Sequence, residues 1–170
     1  MPEETTSVAY WDRVAEESEF TFPVNYALLE EHLGSDATFV DVGCGYGRVT
    51  EDLQSRGFSN VVGFDPAASM IERGQREHPN LDLRVWQDNE LPVPADSVDG
   101  VLMVGVLSCV IEEQFGVGAL KIGHGGVVRH LSESAFRDLT TGFTTIHRAR
   151  IGGESLSGNS LETIRFLGNH

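Results

Sequence analysis

Lysine is nearly absent from this 170-residue chain: Lys121 stands alone, and every other cationic side chain is an arginine. Basic residues number 12 against 26 acidic ones, so the formal net charge is −14. A field of that sign repels phosphate backbones and argues against nucleic acid as a partner. Cysteine is scarce. Cys44 and Cys109 lie far apart, with no CxxC pair and no metal-ligand spacing, so they read as two reduced thiols of a cytoplasmic protein and no metal is expected. Long apolar runs are missing too, and without about 18 such residues in a row no membrane span is expected. The start, Met1-Pro2-Glu3-Glu4-Thr5, lacks the basic and apolar regions of a secretory signal. Proline does not occur after Pro94.

What is present suits one globular domain, with 40% apolar residues for a core. The acids are scattered (Glu16, Glu17, Glu19, Glu30, Glu31, Asp36, Glu112, Glu113) and not massed in a tail. That pattern favours a solvated acidic surface, as in proteins of salty cytoplasm, over a face for a cationic partner. Residues 9–19 and 25–33 read as helices, the second stopped by Gly34. Then short apolar runs alternate with amphipathic stretches. Strands are expected at 38–42, 61–64, 81–86 and 98–104, with helices at 46–57 and 67–77. This alternation implies a parallel α/β sheet. Beyond it, 132–139 reads as a helix, and 143–151 and 161–167 as an antiparallel strand pair at the sheet edge.

The sharpest motif is Asp41-Val42-Gly43-Cys44-Gly45-Tyr46-Gly47-Arg48, set between a strand and a helix. Glycines there permit a tight turn and close approach of a ligand to the main chain. The dinucleotide fingerprint is G-x-G-x-x-G, but here the spacing is G-x-G-x-G, with Arg48 where a third glycine would stand. Asp41 would repel a pyrophosphate and suits an ammonium group, which weakens a reading as an NAD-dependent oxidoreductase. Asp65 ends the next strand, where an acid can accept ribose hydroxyls. Asp88-Asn89-Glu90 follows the third strand, within reach of an adenine amino group. Open α/β sheets bind ligands at the carboxyl ends of their strands, where all three clusters fall.

These residues carry a family resemblance. Phe39 to Gly47 resembles motif I of class I S-adenosylmethionine-dependent methyltransferases. Val62-Gly63-Phe64-Asp65-Pro66 followed by Ser69-Met70-Ile71 resembles their second motif, Gln87 to Pro92 their adenine loop, and Asp96 to Met103 their fourth strand. Tyr10-Trp11-Asp12-Arg13-Val14-Ala15 is similar to the N-terminal segment that covers the cofactor in many members. The resemblance implies an α/β, Rossmann-like, mostly parallel sheet with helices on both faces, an antiparallel C-terminal pair, and an abbreviated region after strand four. It implies a single domain: an N-terminal helical lid (1–34), a cofactor-binding half (35–110) and a shortened C-terminal half (111–170). The implied cofactor is S-adenosylmethionine, with S-adenosylhomocysteine as product. The implied cofactor residues are Tyr10, Asp41, Gly43, Cys44, Gly45, Asp65, Pro66, Met70, Asp88, Asn89, Val104 and Gly105.

After Val110 the family pattern breaks. Either Leu120 to Gly126 is a degenerate turn leading to a fifth strand at 127–131, or 126–143 aligns beyond a missing fifth strand. Strand four reads as covered on both faces, so 127–131 or a C-terminal strand is expected beside it, with homodimerisation through that edge as the remedy otherwise. The expected function is methyl transfer to a small-molecule acceptor, which needs chiefly alignment and exclusion of water. His124 and His130 are the candidate bases, should the acceptor need one, with Cys109 and Glu112 behind them. The rival is a protein that binds S-adenosylmethionine or S-adenosylhomocysteine without turnover.

Overall fold

The computed structural model describes residues 7–88, 91–94, 97–106, 119–121, 127–129, 141, 144–154 and 160–169. The chain divides into two compact units, Met1–His130 and Leu131–His170. The first opens with helices α1 (Ser7–Val14) and α2 (Tyr26–His32). It continues with β1 (Thr38–Val42), α3 (Arg48–Ser55), β2 (Asn60–Asp65), α4 (Ala68–Glu77), β3 (Asp82–Val85) and β4 (Gly100–Leu102). Helix α1 is shorter than its apolar pattern suggests. The Ser18 amide and hydroxyl both donate to the Val14 carbonyl, at 3.0 and 2.8 Å, and close the last turn there.

Four strands form one parallel sheet in the order β3-β2-β1-β4. Val40 sits level with Val62 on one side and with Val101 on the other. The Asp99 side chain extends the β1–β4 pairing: its carboxylate accepts from the Thr38 amide at 2.8 Å, while the Asp99 amide donates to the Thr38 carbonyl at 2.9 Å. Phe39, wholly buried, meets Phe58 edge-on at 4.9 Å and joins Val49, Leu53, Val61 and Leu102 in the main core. A second cluster places Ala15 against Tyr46, Ala67 and Met70, with Trp11 and Phe20 packed on it. The parallel order and the buried β1 and β2 are what the apolar runs imply.

Strand four departs from its expected role. Only Gly100–Leu102 is regular strand, and it lies at the sheet edge. Val101 is 51% exposed and Met103 46%. Among the described residues no strand pairs with the outer side of β4, contrary to the expectation for 127–131. Val127–Arg129 (β6) instead pairs antiparallel with Ala119–Lys121 (β5). Residues 119–121 and 127–129 are near in sequence, so pairing them closes a short loop, whereas reaching β4 would close a longer one. In the second unit, β7 (Thr144–Glu154) and β8 (Ser160–Asn169) pair antiparallel as a two-stranded sheet. The helix expected at 132–139 lies outside the described residues. No helix among the described residues is long and apolar enough to cross a membrane.

Candidate functional site

The carboxyl end of β1 runs straight into the glycine loop. Gly43, Gly45 and Gly47 have φ of 69°, 57° and 90°, a region L side chains rarely adopt. That alternation curls the loop toward β2. The Gly43 and Cys44 amides both donate to the Phe64 carbonyl, at 2.7 and 3.1 Å. The Gly45 amide donates to Asp65 Oδ2 at 2.9 Å, and the Ala67 amide to Asp65 Oδ1 at 2.8 Å. Asp65 therefore locks the loop of β1 to the turn after β2. Each carboxylate oxygen keeps a second lone pair for a ligand hydroxyl. Burial raises the Asp65 pKa, and the two amide donors pull the other way.

Asp41 is 1% exposed, and its Oδ2 accepts the Thr50 hydroxyl of α3 at 2.9 Å. Burial pushes its pKa up to about 6, with Asp65 adding to the shift, while the Thr50 hydroxyl and the Arg48 charge oppose it. Thr50 carries no sequence motif. The available signal is a polar residue on the stripe of α3 that otherwise buries Val49 and Leu53.

Aromatic residues before α2 lie against this loop. A Cβ on Gly45 would come within 2.5 Å of the Phe20 ring, and one on Gly105 (φ 77°) within 3.3 Å of the Phe22 ring. Phe20 stacks on Tyr46 at 5.2 Å, and its amide donates to the Tyr46 hydroxyl at 3.2 Å. Arg48 Nη2 donates to the Phe22 carbonyl at 2.8 Å. Val106 covers Gly43, 2.4 Å from where a Cβ would be. The segment around Phe20 and Phe22 thus spans the carboxyl ends of β1 and β4.

The other sequence-derived residues divide. Tyr10 sits in α1 with its ring edge-on to Trp11 at 5.0 Å, and Arg13 lies over it at 5.5 Å. The Cys44 side chain turns into the core beside Ile71 and Leu83, where burial raises its thiol pKa well above the usual value. Cys44 can therefore meet a ligand only through its backbone. Met70 is likewise buried, against Ala15, Tyr46 and Ala67. Pro66 is half-buried, and its carbonyl accepts Gln87 Nε2 at 2.9 Å, which brings the end of β3 to the same mouth. Asp88 is exposed there, and Val104 packs on the main core. Asn89, Cys109, Glu112, His124 and His130 lie outside the described residues. Among the described residues no group of three His, Cys, Asp or Glu side chains could hold a metal ion.

A parallel sheet whose first strand delivers a glycine loop onto a carboxylate of the second defines a nucleotide-type α/β binding domain. Here two buried carboxylates face the loop in place of phosphate-binding groups. Comparison with known proteins narrows the class. Residues 39–121 match a family model described as a methyltransferase domain. A stretch of 74 residues is 36% identical to human methyltransferase-like protein 27, covering 42% of this chain and 30% of that protein. The fold is similar to a solved S-adenosylmethionine-dependent methyltransferase from Methanosarcina mazei, with TM-score 0.70 and 15% identity over 86% of this chain and 98% of the other. It is also similar to the 1,6-didemethyltoxoflavin-N1-methyltransferase of Burkholderia thailandensis, solved with its acceptor and S-adenosylhomocysteine. That likeness has TM-score 0.54 and 19% identity over 97% of this chain and 78% of that one. Residues 39–121 thus match a methyltransferase domain family, and the fold is that of S-adenosylmethionine-dependent methyltransferases. The chain spans about a third of the length of the curated relatives it matches.

Proposed function

We propose that this chain binds S-adenosylmethionine and serves methyl transfer to a small-molecule acceptor. The observation that carries the reading is the Asp65 bridge: one buried carboxylate organises the glycine loop and keeps acceptor capacity at the mouth of the site. Asp41 suits the ammonium of the cofactor's amino-acid part, Gly43 and Gly45 allow its close approach, and Asp65 suits the ribose hydroxyls. When bound, the cofactor supplies an electrophilic methyl group on a sulfonium. The protein's share is alignment and exclusion of water, and Phe20, Phe22 and Val106 are the apolar groups placed to exclude it. The Burkholderia enzyme of similar fold, solved with 1,6-didemethyltoxoflavin, is a precedent for a small-molecule acceptor on this fold. The charge of −14 argues against a nucleic-acid acceptor.

Calorimetry with S-adenosylhomocysteine and with NAD tests the site, and a methyl-donor consumption assay over a metabolite panel tests turnover. The expected result is binding of the first ligand and not the second. Asp65→Ala removes a charged acceptor worth roughly 1.5–3 kcal/mol, a loss of about 10- to 150-fold in affinity. A loss under about threefold, against that scale, would place the ribose elsewhere. Binding without donor consumption on any acceptor would make the chain a cofactor-binding protein instead.

A further inference from the structure

Arg73 is the one buried cation among the described residues, 6% exposed. It lies on α4 three residues after Met70, on the stripe that buries Met70, Ile71 and Gly74. An apolar residue would serve packing better at that position, since a buried guanidinium must be fully paired to be tolerated. Three of its four hydrogen-bond partners come from the N-terminal segment. Nη1 donates to the Ala15 carbonyl at 2.8 Å and to the Ser18 carbonyl at 2.6 Å. Nη2 donates to Glu19 at 3.2 Å and Nε to Glu77 at 2.9 Å. The guanidinium also lies 4.0 Å from the centre of the Tyr46 ring, which itself stacks with Phe20. Asp12 of α1 adds a second tie to α4, accepting the Ser69 amide at 2.8 Å.

We propose that Arg73 is a positioning residue that anchors the segment Ala15 to Phe22 across the glycine loop, so that Phe20 roofs the cofactor and slows its release. This rests on the cofactor reading above. The anchor lies on α4, the helix that follows Asp65 and its turn, so the roof is tied down close to the ribose contact. Arginine suits the role because one planar group can bond two carbonyls and two carboxylates while stacking on an aromatic ring; lysine offers a point charge and no stacking plane.

The test measures two things in the intact chain. Hydrogen exchange of the ligand-free protein reads the Phe20 amide, which the Tyr46 hydroxyl holds. Stopped-flow reads the dissociation rate of S-adenosylhomocysteine. Arg73→Met should expose residues 15–22 to exchange and speed release roughly tenfold, the scale of one lost charge-assisted hydrogen bond. Arg73→Lys should recover part of both. A residue that merely stabilised the fold would lower the melting temperature and leave the release rate of the folded protein unchanged, and that result overturns the proposal. Unchanged exchange at 15–22 overturns it as well. If Arg73→Met does not fold, Phe20→Ala decides: faster release upholds the roof, and an unchanged rate overturns it. Should the wild type bind no S-adenosylhomocysteine, the cofactor reading falls, while exchange in Arg73→Lys still upholds or overturns the anchor.

Discussion

Two carboxylates at the ends of adjacent strands do different work because their surroundings differ. Asp65 accepts two backbone amides, whereas Asp41 is held by Thr50, through its hydroxyl and its backbone, and has almost no contact with water. A buried carboxylate whose pKa rises from 3.8 to about 6 binds its proton more tightly folded than unfolded. Between those values the native state carries more protons than the unfolded one, so stability falls as pH rises from about 4 to about 6 and stays lower above that. The cost above pH 6 is about 2–3 kcal/mol. Asp41→Asn should therefore make the ligand-free protein more stable near neutral pH, by about 1–3 kcal/mol, and flatten this part of the profile. The amide oxygen can still accept the Thr50 hydroxyl. Affinity should move the opposite way. If Asp41 serves the ligand's ammonium, S-adenosylhomocysteine binding in the wild type should tighten as pH rises through about 6 and then level. In Asp41→Asn it should be weak at every pH. Chemical denaturation and calorimetry between pH 4 and 8 check both; a wild type with flat affinity over that range would remove Asp41 from the ammonium site.

Elements whose partners are near in sequence were readable in advance, and those fixed by distant contacts were not. The bounds of β1 match its apolar run and β2 follows its own closely, because a strand buried on both faces leaves an uninterrupted apolar signature, whereas β3 buries only Leu83. Asp41, Gly43, Gly45 and Asp65 were legible because turn chemistry and strand ends are local. Phe20, Phe22 and Arg73 were not, since their significance arises only when residues 15–22 meet α4 and the glycine loop. Met70 and Cys44 show the reverse: the motif pointed to the ligand, and packing turned their side chains inward. Strand four is the largest departure. Its apolar composition implied cover on both faces, yet Val101 is half-exposed and the strand ends the sheet among the described residues. An apolar edge of this kind invites pairing with a second chain. We expect a homodimer across β4 in sedimentation velocity, and Val101→Lys should weaken it tenfold or more, since a half-buried valine contributes about 1–2 kcal/mol. A wild type that sediments as a monomer at all concentrations would overturn this assembly.

At the scale of the whole molecule, charge is divided unevenly. Leu131–His170 carries Glu133, Asp138, Glu154 and Glu162 against Arg137, Arg148, Arg150 and Arg165, so the entire excess of −14 belongs to Met1–His130. Some acids there are paired, as in Arg56–Glu30, Arg76–Glu16 and Arg84–Asp82, but these pairs are exposed and each contributes little. Most of the excess must repel itself in the compact state and relax on unfolding. Salt screens that repulsion: the Debye length falls from about 30 Å at 0.01 M to about 3 Å at 1 M. The melting temperature should therefore rise with KCl, at roughly 2–4 °C for each kcal/mol of repulsion relieved. Potassium chloride is the salt to use, because strongly excluded anions such as sulfate stabilise any fold by another route. The gain should be steepest at low ionic strength, where the screening length still exceeds the spacing between surface acids. A melting curve that is flat or falls from low to molar KCl would contradict a solvated acidic surface. In that case the acids of the first unit would be better explained as a face for a cationic partner.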